Sequence, residues 1–301
     1  MNKLFYSLLF YCLSVSLSLE RETDNSLLFE RANESSMLII EDRLPIADPY
    51  VLFYEDKYYA YGTRTNGFEV YISDDLEHWR RGDRLALSPQ DSWGTKWYWA
   101  PEVYYIESEK KFYMFYTVDE HICVATSDSP EGPFVQDEKK PVREEKGIDA
   151  SLFMDDDGKA TLRECIKADA SWELQQAKVA EGPSLLKRNG VYYLIYSANH
   201  FRSQDYAVGY ATATSPLGPW KKYDGNPILC RDKDVAAGLV GTGHGAPFLC
   251  RDGSYKYIYH AHSSVNRVEP RTSYLNDLIF GDDGVISIVE NVIKPVVESS
   301  E

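Results

Sequence analysis

The sequence is poor in positive charge. It carries 32 lysine and arginine residues against 47 aspartate and glutamate residues, which gives a net charge of −15. A nucleic-acid-binding protein needs a basic surface that faces the phosphates, and no basic segment of that kind is present. The deficit therefore excludes nucleic acid as a partner and favours an uncharged ligand over a polyanion.

Cysteine is sparse, and its spacing excludes the common zinc sites. Five cysteines are present, of which Cys12 lies in the first hydrophobic stretch. The remaining four, Cys123, Cys165, Cys230 and Cys250, lack metal-ligand spacing. A domain of this size does not need disulfides, so we expect free, buried thiols.

Long hydrophobic runs are also lacking. The uncharged stretch Leu4–Leu19 follows Lys3 and is too short for a comfortable membrane span. We therefore predict a signal segment over residues 1–20, a flexible tether over 21–37 and one domain over 38–296. This organisation predicts export to the periplasm, the cell surface or the medium, with no membrane span.

Helical periodicity is nearly absent, and short aromatic and β-branched runs recur instead, which is typical of an all-β fold. A turn followed by an aromatic strand repeats at 55–61, 109–116, 189–196 and 252–259, with a weaker copy at 157–162. Five related units of about 40–60 residues are typical of a five-bladed β-propeller. A β-sandwich would not explain why the units resemble one another in residue type.

The third unit is unusually short. Glu181 follows Asp149 by 32 positions, whereas Glu102 follows Asp48 by 54 and His244 follows Glu181 by 63. A four-stranded blade hardly fits in the shorter interval. We therefore predict that the third blade is truncated.

One ionisable residue stands near the start of each unit, beside proline or small residues: Asp48, Glu102, Asp149, Glu181 and His244. The innermost strands of a propeller line its central channel, so we expect these side chains to converge. Cleavage of a glycosidic bond needs one carboxylic acid and one carboxylate, and a third carboxylate raises the pKa of the acid by repulsion. Carboxylates from different blades can be far enough apart to admit a water molecule, which predicts inversion at the anomeric carbon.

The segments that carry these residues resemble glycoside hydrolase family 43. They are 47–50 (ADPY), 99–102 (WAPE), 148–153 (IDASLF), 181–184 (EGPS) and 243–248 (GHGAPF), and the likeness extends in order over about residues 40–290. The resemblance implies a five-bladed propeller and inverting hydrolysis of arabinose- or xylose-containing plant saccharides. The implied activity is of the α-L-arabinofuranosidase or β-xylosidase type.

The resemblance also implies roles for single residues. Asp48 would be the general base, Asp149 the group that adjusts the pKa and orientation of the acid, and Glu181 the general acid. His244 matches a position near an axial calcium ion that is held through water, so we expect no required cofactor and one structural calcium there. Arg271 resembles an arginine that contacts substrate.

Glu102 and Trp99 complete the predicted substrate-binding set. For the cluster from Trp97 to Trp99, stacking on a sugar ring and packing between blades are both open interpretations. His260 and His262 alternate on one face of a predicted strand and have no evident third ligand, so we interpret them as structural.

Two alternative functions follow from the same residues. One keeps the propeller but uses retaining transfer on fructans or galactosides. The other is a non-catalytic sugar-binding propeller, because members of the family usually have more chain between Asp149 and Glu181 than this sequence has.

Overall fold

The computed structural model describes residues 8–12, 43–153 and 166–298, and within them the fold is all-β. The strands are β1 Leu8–Cys12, β2 Ala47–Tyr54, β3 Lys57–Thr63, β4 Tyr71–Ser73, β5 His78–Arg81, β6 Trp99–Ile106, β7 Lys111–Val118, β8 His121–Ser127, β9 Ile148–Phe153, β10 Ala180–Arg188, β11 Val191–Ala198, β12 Ala207–Ala213, β13 Lys221–Lys222, β14 Gly243–Leu249, β15 Tyr255–Ala261, β16 Thr272–Phe280, β17 Ile286–Ile288 and β18 Val296–Val297. Short 3-10 turns occur at Pro89–Asp91, Ser171–Glu173 and Asp234–Ala236. No helix in the described part of the chain is long and apolar enough to cross a membrane.

The strands form blade-like antiparallel sheets in the arrangement of a β-propeller. The sheets of three or more strands are β2–β5, β6–β8, β10–β13 and β14–β17, and β18 adds to β5 in parallel. Strand β9 lies between β6 and β10 and pairs with β1. The all-β propeller prediction is confirmed at this level. The predicted tether, residues 21–37, lies outside the described residues.

Two-residue turns connect β2 to β3, β7 to β8 and β10 to β11. Glu55 and Asp56, Asp119 and Glu120, and Asn189 and Gly190 all have positive φ, as the two central residues of a type I′ hairpin turn require. This geometry matches the right-handed twist of the flanking strands. The turn residues that mark the repeats in the sequence therefore fix the strand register.

The hydrophobic core lies between blades rather than at the centre of the molecule. One cluster joins the first and second blades around Tyr61, Phe68 and Met114. A second joins β10–β13 to β14–β17, and a third joins the first blade to β14–β16 around Trp79. The inner strand of each blade is thus held between its neighbours, with its first residues at the channel.

The same irregularity interrupts all the inner strands. Asp48, Ala100, Asp149, Gly182 and His244 have φ values between 43° and 58°, and the pairing shifts register at this point in β2, β6, β10 and β14. This is the geometry of a β-bulge, which bends a strand and re-aims its side chains. The five predicted site residues do not all occupy equivalent positions on their strands, in contrast to the prediction. Glu181 precedes the bulge residue of its strand, and Glu102 follows the bulge residue of its strand by two positions. Only Asp48, Asp149 and His244 are themselves bulge residues.

Cys123, Cys230 and Cys250 are free, as expected. Cys123 and Cys250 are buried, whereas Cys230 is partly exposed and does not match the expectation of burial. Cys165 lies outside the described residues.

Candidate active site

The bulged ends of the inner strands bring the predicted residues to one cavity on the channel axis. Asp48, Glu102, Asp149 and His244 line it, together with Gly182, the neighbour of Glu181. Asp48 and Asp149 are buried, with 9% and 6% of their surface exposed. The repeat comparison therefore identified groups that the fold does bring together.

Asp48 is held as a carboxylate. Its Oδ1 accepts a hydrogen bond from Arg271 Nη1 at 2.9 Å, and its Oδ2 accepts one from Thr63 Oγ1 at 2.5 Å. His244 Nδ1 lies 3.4 Å from Oδ1. Burial alone would raise the pKa of Asp48, but Arg271 and His244 hold that pKa well below its usual value.

Glu181 is in the opposite state. Burial and the neighbouring charge of Asp149 raise the pKa of Glu181 to about 7. Its Oε1 accepts a hydrogen bond of 2.8 Å from the Tyr206 hydroxyl, which fixes the direction of the carboxyl group. The site therefore contains one carboxyl group held ionised and one that keeps its proton near neutrality.

Asp149 links the two ends of the site. Its backbone N–H donates to Thr117 Oγ1, and its Oδ2 accepts a hydrogen bond from the Gly182 N–H at 3.2 Å. Burial raises the pKa of Asp149, and the charge of Asp48 adds to that effect. The bond to Gly182 ties Asp149 to the residue that follows Glu181, so the position of one group depends on the other.

Glu102 lies on the same cavity and is also held protonated. The Tyr104 hydroxyl donates to it, and burial raises the pKa of Glu102 to about 7. Tyr104 also accepts a hydrogen bond from the Leu152 N–H, which connects the second inner strand to β9.

His244 faces the carboxylates across the channel. Its backbone N–H donates to Ser197 Oγ at 2.7 Å. Burial lowers the pKa of His244, but Asp48 and Asp149 outweigh burial and raise it. The imidazole therefore favours its protonated form, which supplies positive charge to the cavity.

Sequence reasoning missed three residues of the site, Thr63, Tyr206 and His260. His260, interpreted as structural, is fully buried and contacts the candidate base: its Nδ1 accepts a hydrogen bond from the Asp48 N–H at 3.1 Å and lies 3.3 Å from Oδ1. Burial and Arg271 lower the pKa of His260 to about 3, so it is neutral. His262, by contrast, has a structural contact with the Phe201 carbonyl.

A cleft beside Asp48 holds the remaining predicted binding residues. Trp99 and Arg271 line it, together with Trp97. The rings of Trp97 and Trp99 stack with centroids 5.7 Å apart, and Trp97 is 38% exposed. Trp97 and Trp99 are therefore partly exposed to the cleft rather than completely buried between blades.

A propeller whose channel holds an ionised carboxylate beside carboxyl groups of raised pKa has the features of a glycoside hydrolase site. Comparison with known proteins agrees: the glycosyl hydrolases family 43 profile matches residues 42–165 and 161–286. The chain belongs to this family, which comprises inverting hydrolases of glycosidic bonds.

Solved structures in the family resemble the chain closely. One is described as an endo-1,4-beta-xylanase from Bacteroides thetaiotaomicron; it is 56% identical, with a TM-score of 0.82, and the match covers 85% of this chain and 98% of that one. A thermostable family-43 glycoside hydrolase is 33% identical, with a TM-score of 0.71 over 83% and 95% of the two chains.

Curated relatives are more distant. The beta-D-galactofuranosidase xynD of Aspergillus niger is 27% identical over 83% of this chain and 84% of its own. A xylan 1,3-beta-xylosidase from a Vibrio species is 28% identical over 71% of this chain, which spans 47% of that relative's length.

Proposed function

We propose that the protein is an exported hydrolase of arabinose- or xylose-containing plant polysaccharides or oligosaccharides, of the α-L-arabinofuranosidase or β-xylosidase type. The observation that supports this proposal is the opposed state of Asp48, which lines the cavity, and Glu181, whose neighbour Gly182 lines it. Inversion needs such a pair, because one group must give a proton while the other takes one.

In the proposed mechanism, Glu181 gives its proton to the glycosidic oxygen as the bond to the anomeric carbon breaks. Asp48 takes a proton from a water molecule whose oxygen attacks that carbon from the opposite face. The product sugar has the inverted configuration, Glu181 ends ionised and Asp48 ends protonated. Exchange with solvent restores both groups.

The surrounding residues support the pair. Asp149 raises the pKa of Glu181 and orients it through the Gly182 N–H. Arg271 keeps Asp48 ionised and presents its remaining donors to the substrate, and Trp99 offers a ring face to the sugar. Glu102, protonated near neutrality, can donate to a substrate hydroxyl from the channel side.

A β-D-galactofuranoside is the second candidate substrate, because the Aspergillus niger relative of that name matches over most of its length. The activity test is a panel of nitrophenyl arabinofuranoside, xyloside and galactofuranoside with arabinan and xylan. We expect turnover on at least one pentose substrate, and proton NMR of the first product should show the inverted anomer. Binding without turnover would instead support the non-catalytic propeller, and a retained anomer would contradict the mechanism.

We also propose that the propeller has five blades and that β9 is the inner strand of the third blade in chain order, which is truncated. Its bulge at Asp149 has the same positive φ as the other inner strands, and it lies between β6 and β10, where a blade is needed to complete the ring. The alignment with the Aspergillus niger relative extends over 290 residues although it covers 83% of this 301-residue chain, so the relative has residues that this chain lacks.

We propose that no calcium ion binds beside His244, in contrast to the expectation from the resemblance. The cavity has about 10 Å³ of free space, enough for about one water molecule or ion, and calcium takes about six to eight oxygen ligands. No described group of three histidine, cysteine or acidic side chains has metal-binding geometry.

We propose that hydrolysis requires no cofactor. Chelation with EDTA is expected to leave kcat and the melting temperature unchanged, and a loss of either that calcium restores would contradict this.

The pH profile should be asymmetric. Activity needs Glu181 protonated, so it should fall as the pH rises through about 7, whereas the low pKa of Asp48 preserves activity well into the acidic range.

The Tyr206→Phe variant removes a hydrogen bond that favours ionised Glu181, so the alkaline limb of kcat/KM should move to higher pH. Glu102→Gln is the control, because Glu102 has a similar pKa but transfers no proton in the proposed mechanism; an alkaline limb that moves with Glu102→Gln would contradict the assignment.

A further inference from the structure

The cleft beside the catalytic base is large and directly continuous with the base. Its volume is about 620 Å³, within the range of about 300–1,000 Å³ that is common for ligand sites. Thr63 and Arg271 line it and both bond to the carboxylate of Asp48. A saccharide bound at Asp48 can therefore extend into this cleft.

Aromatic side chains form one wall of the cleft. Trp97 and Trp99 stack with an interplanar angle of 18°, and both line the cleft next to the base site. Trp97 has a φ of 61°, a costly conformation for a bulky residue and one that tends to occur at functional sites. Exposing a strained tryptophan is the arrangement expected of a stacking surface for a second sugar ring.

The cleft contains an excess of positive charge, although the protein as a whole is acidic. Arg64 is paired with Glu69, which lies outside the cleft, and Arg271 and Glu269 pair with each other. Lys96 lies over the Trp97 ring, with Nζ 3.8 Å from its centroid, and forms no ion pair with any described carboxylate. A positive charge is thus left over beside the stacking surface of a protein whose net charge is −15.

We propose that this cleft is a second saccharide subsite, which binds a sugar with a carboxylate, a uronic acid, on the chain that Asp48 and Glu181 hydrolyse. In this proposal Lys96 leaves the Trp97 ring to pair with the carboxylate of the sugar, and Trp97 then stacks on the sugar ring. This inference rests on the proposed function and specifies its substrate as an acidic, branched oligosaccharide. A neutral chain would use the tryptophan face but not the lysine.

The charge is tested with a xylooligosaccharide that bears a glucuronic acid branch and with the same compound after reduction of its carboxyl group. We expect the parent enzyme to prefer the acidic compound by about three- to fivefold in kcat/KM, as for an exposed ion pair. High salt should remove the preference. Lys96→Met should abolish it while Lys96→Arg keeps it, and Lys110→Met, at an exposed turn outside the cleft, is the matched control. Equal rates in the parent, or a preference that survives Lys96→Met, would overturn the proposal.

Binding is measured separately, so that the subsite and the proposed function can fail independently. Isothermal titration of the parent with the acidic compound should show tighter binding than with the reduced one, whether or not either is cleaved. Trp97→Ala should weaken binding of both compounds, whereas Lys110→Met should change the binding of neither. Selective binding without any turnover would reject the hydrolase and keep the subsite; turnover without selectivity would do the reverse.

Discussion

Replacing Asp48 with asparagine is expected to lower kcat about 10³-fold for every substrate, whatever its leaving group. Asparagine retains the shape of the side chain but cannot take a proton from water, and the attack of water is needed for each substrate. The matched Glu181→Gln variant should behave differently. It should lose a similar factor with a sugar leaving group but much less with dinitrophenyl, which departs without a proton.

The pair of variants separates the two roles within one experiment. If Asp48→Asn were rescued by a good leaving group, Asp48 would be the acid and the assignment would be reversed. The measurement requires folded protein, because Asp48→Asn removes the buried charged partner of Arg271 and leaves it paired with the more exposed Glu269. That loss should cost about 1–3 kcal/mol of stability, so circular dichroism and assays well below the melting temperature accompany the kinetics.

Glu173→Ala should give the largest loss of stability, about 3 kcal/mol or more. Glu173 is fully buried, and its carboxylate accepts hydrogen bonds from the Tyr196 hydroxyl, Lys222 Nζ and the N–H groups of Asp169 and Ala170. Removing it leaves all four donors without that partner. It also releases the segment that enters β10, which begins one residue before Glu181.

Denaturant unfolding measures this effect. The midpoint should fall for Glu173→Ala with little change in slope, and Glu107→Ala, at an exposed position, is the control. A difference of less than about 1 kcal/mol between the two variants would mean that the segment is held by other contacts.

The sequence allowed the propeller and most of the site to be predicted because the blades repeat. Asp48 and Asp149 could be recognised because each lies at the same point of its unit. Glu102 and Glu181 were assigned to that point as well, but the bulge places them on either side of it. A bulge adds one residue to a strand without a distinctive residue type, so the alternation of side chains alone does not show it.

The partners of the catalytic groups could not be predicted for another reason. His260 bonds to Asp48 across 212 positions of sequence, and Arg271 across 223. Those contacts depend on how the last blade meets the first, which no local pattern specifies. The contact of Tyr206 with Glu181 could not be predicted from residue type, because the sequence has 23 tyrosines. The distance between the two residues depends on the conformation of the loop before β12.

The pairing of β18 with β5 makes the last described strand part of the first blade. Val296 pairs with His78, so the ring cannot close until the chain has been synthesised beyond Val296. Asp48 likewise lacks its contacts with Arg271 and His260 until the strands of the last blade are in place. A nascent chain, or one truncated before these residues, should therefore lack the arrangement of the active site. Activity can then be used as a measure of whether the ring has closed.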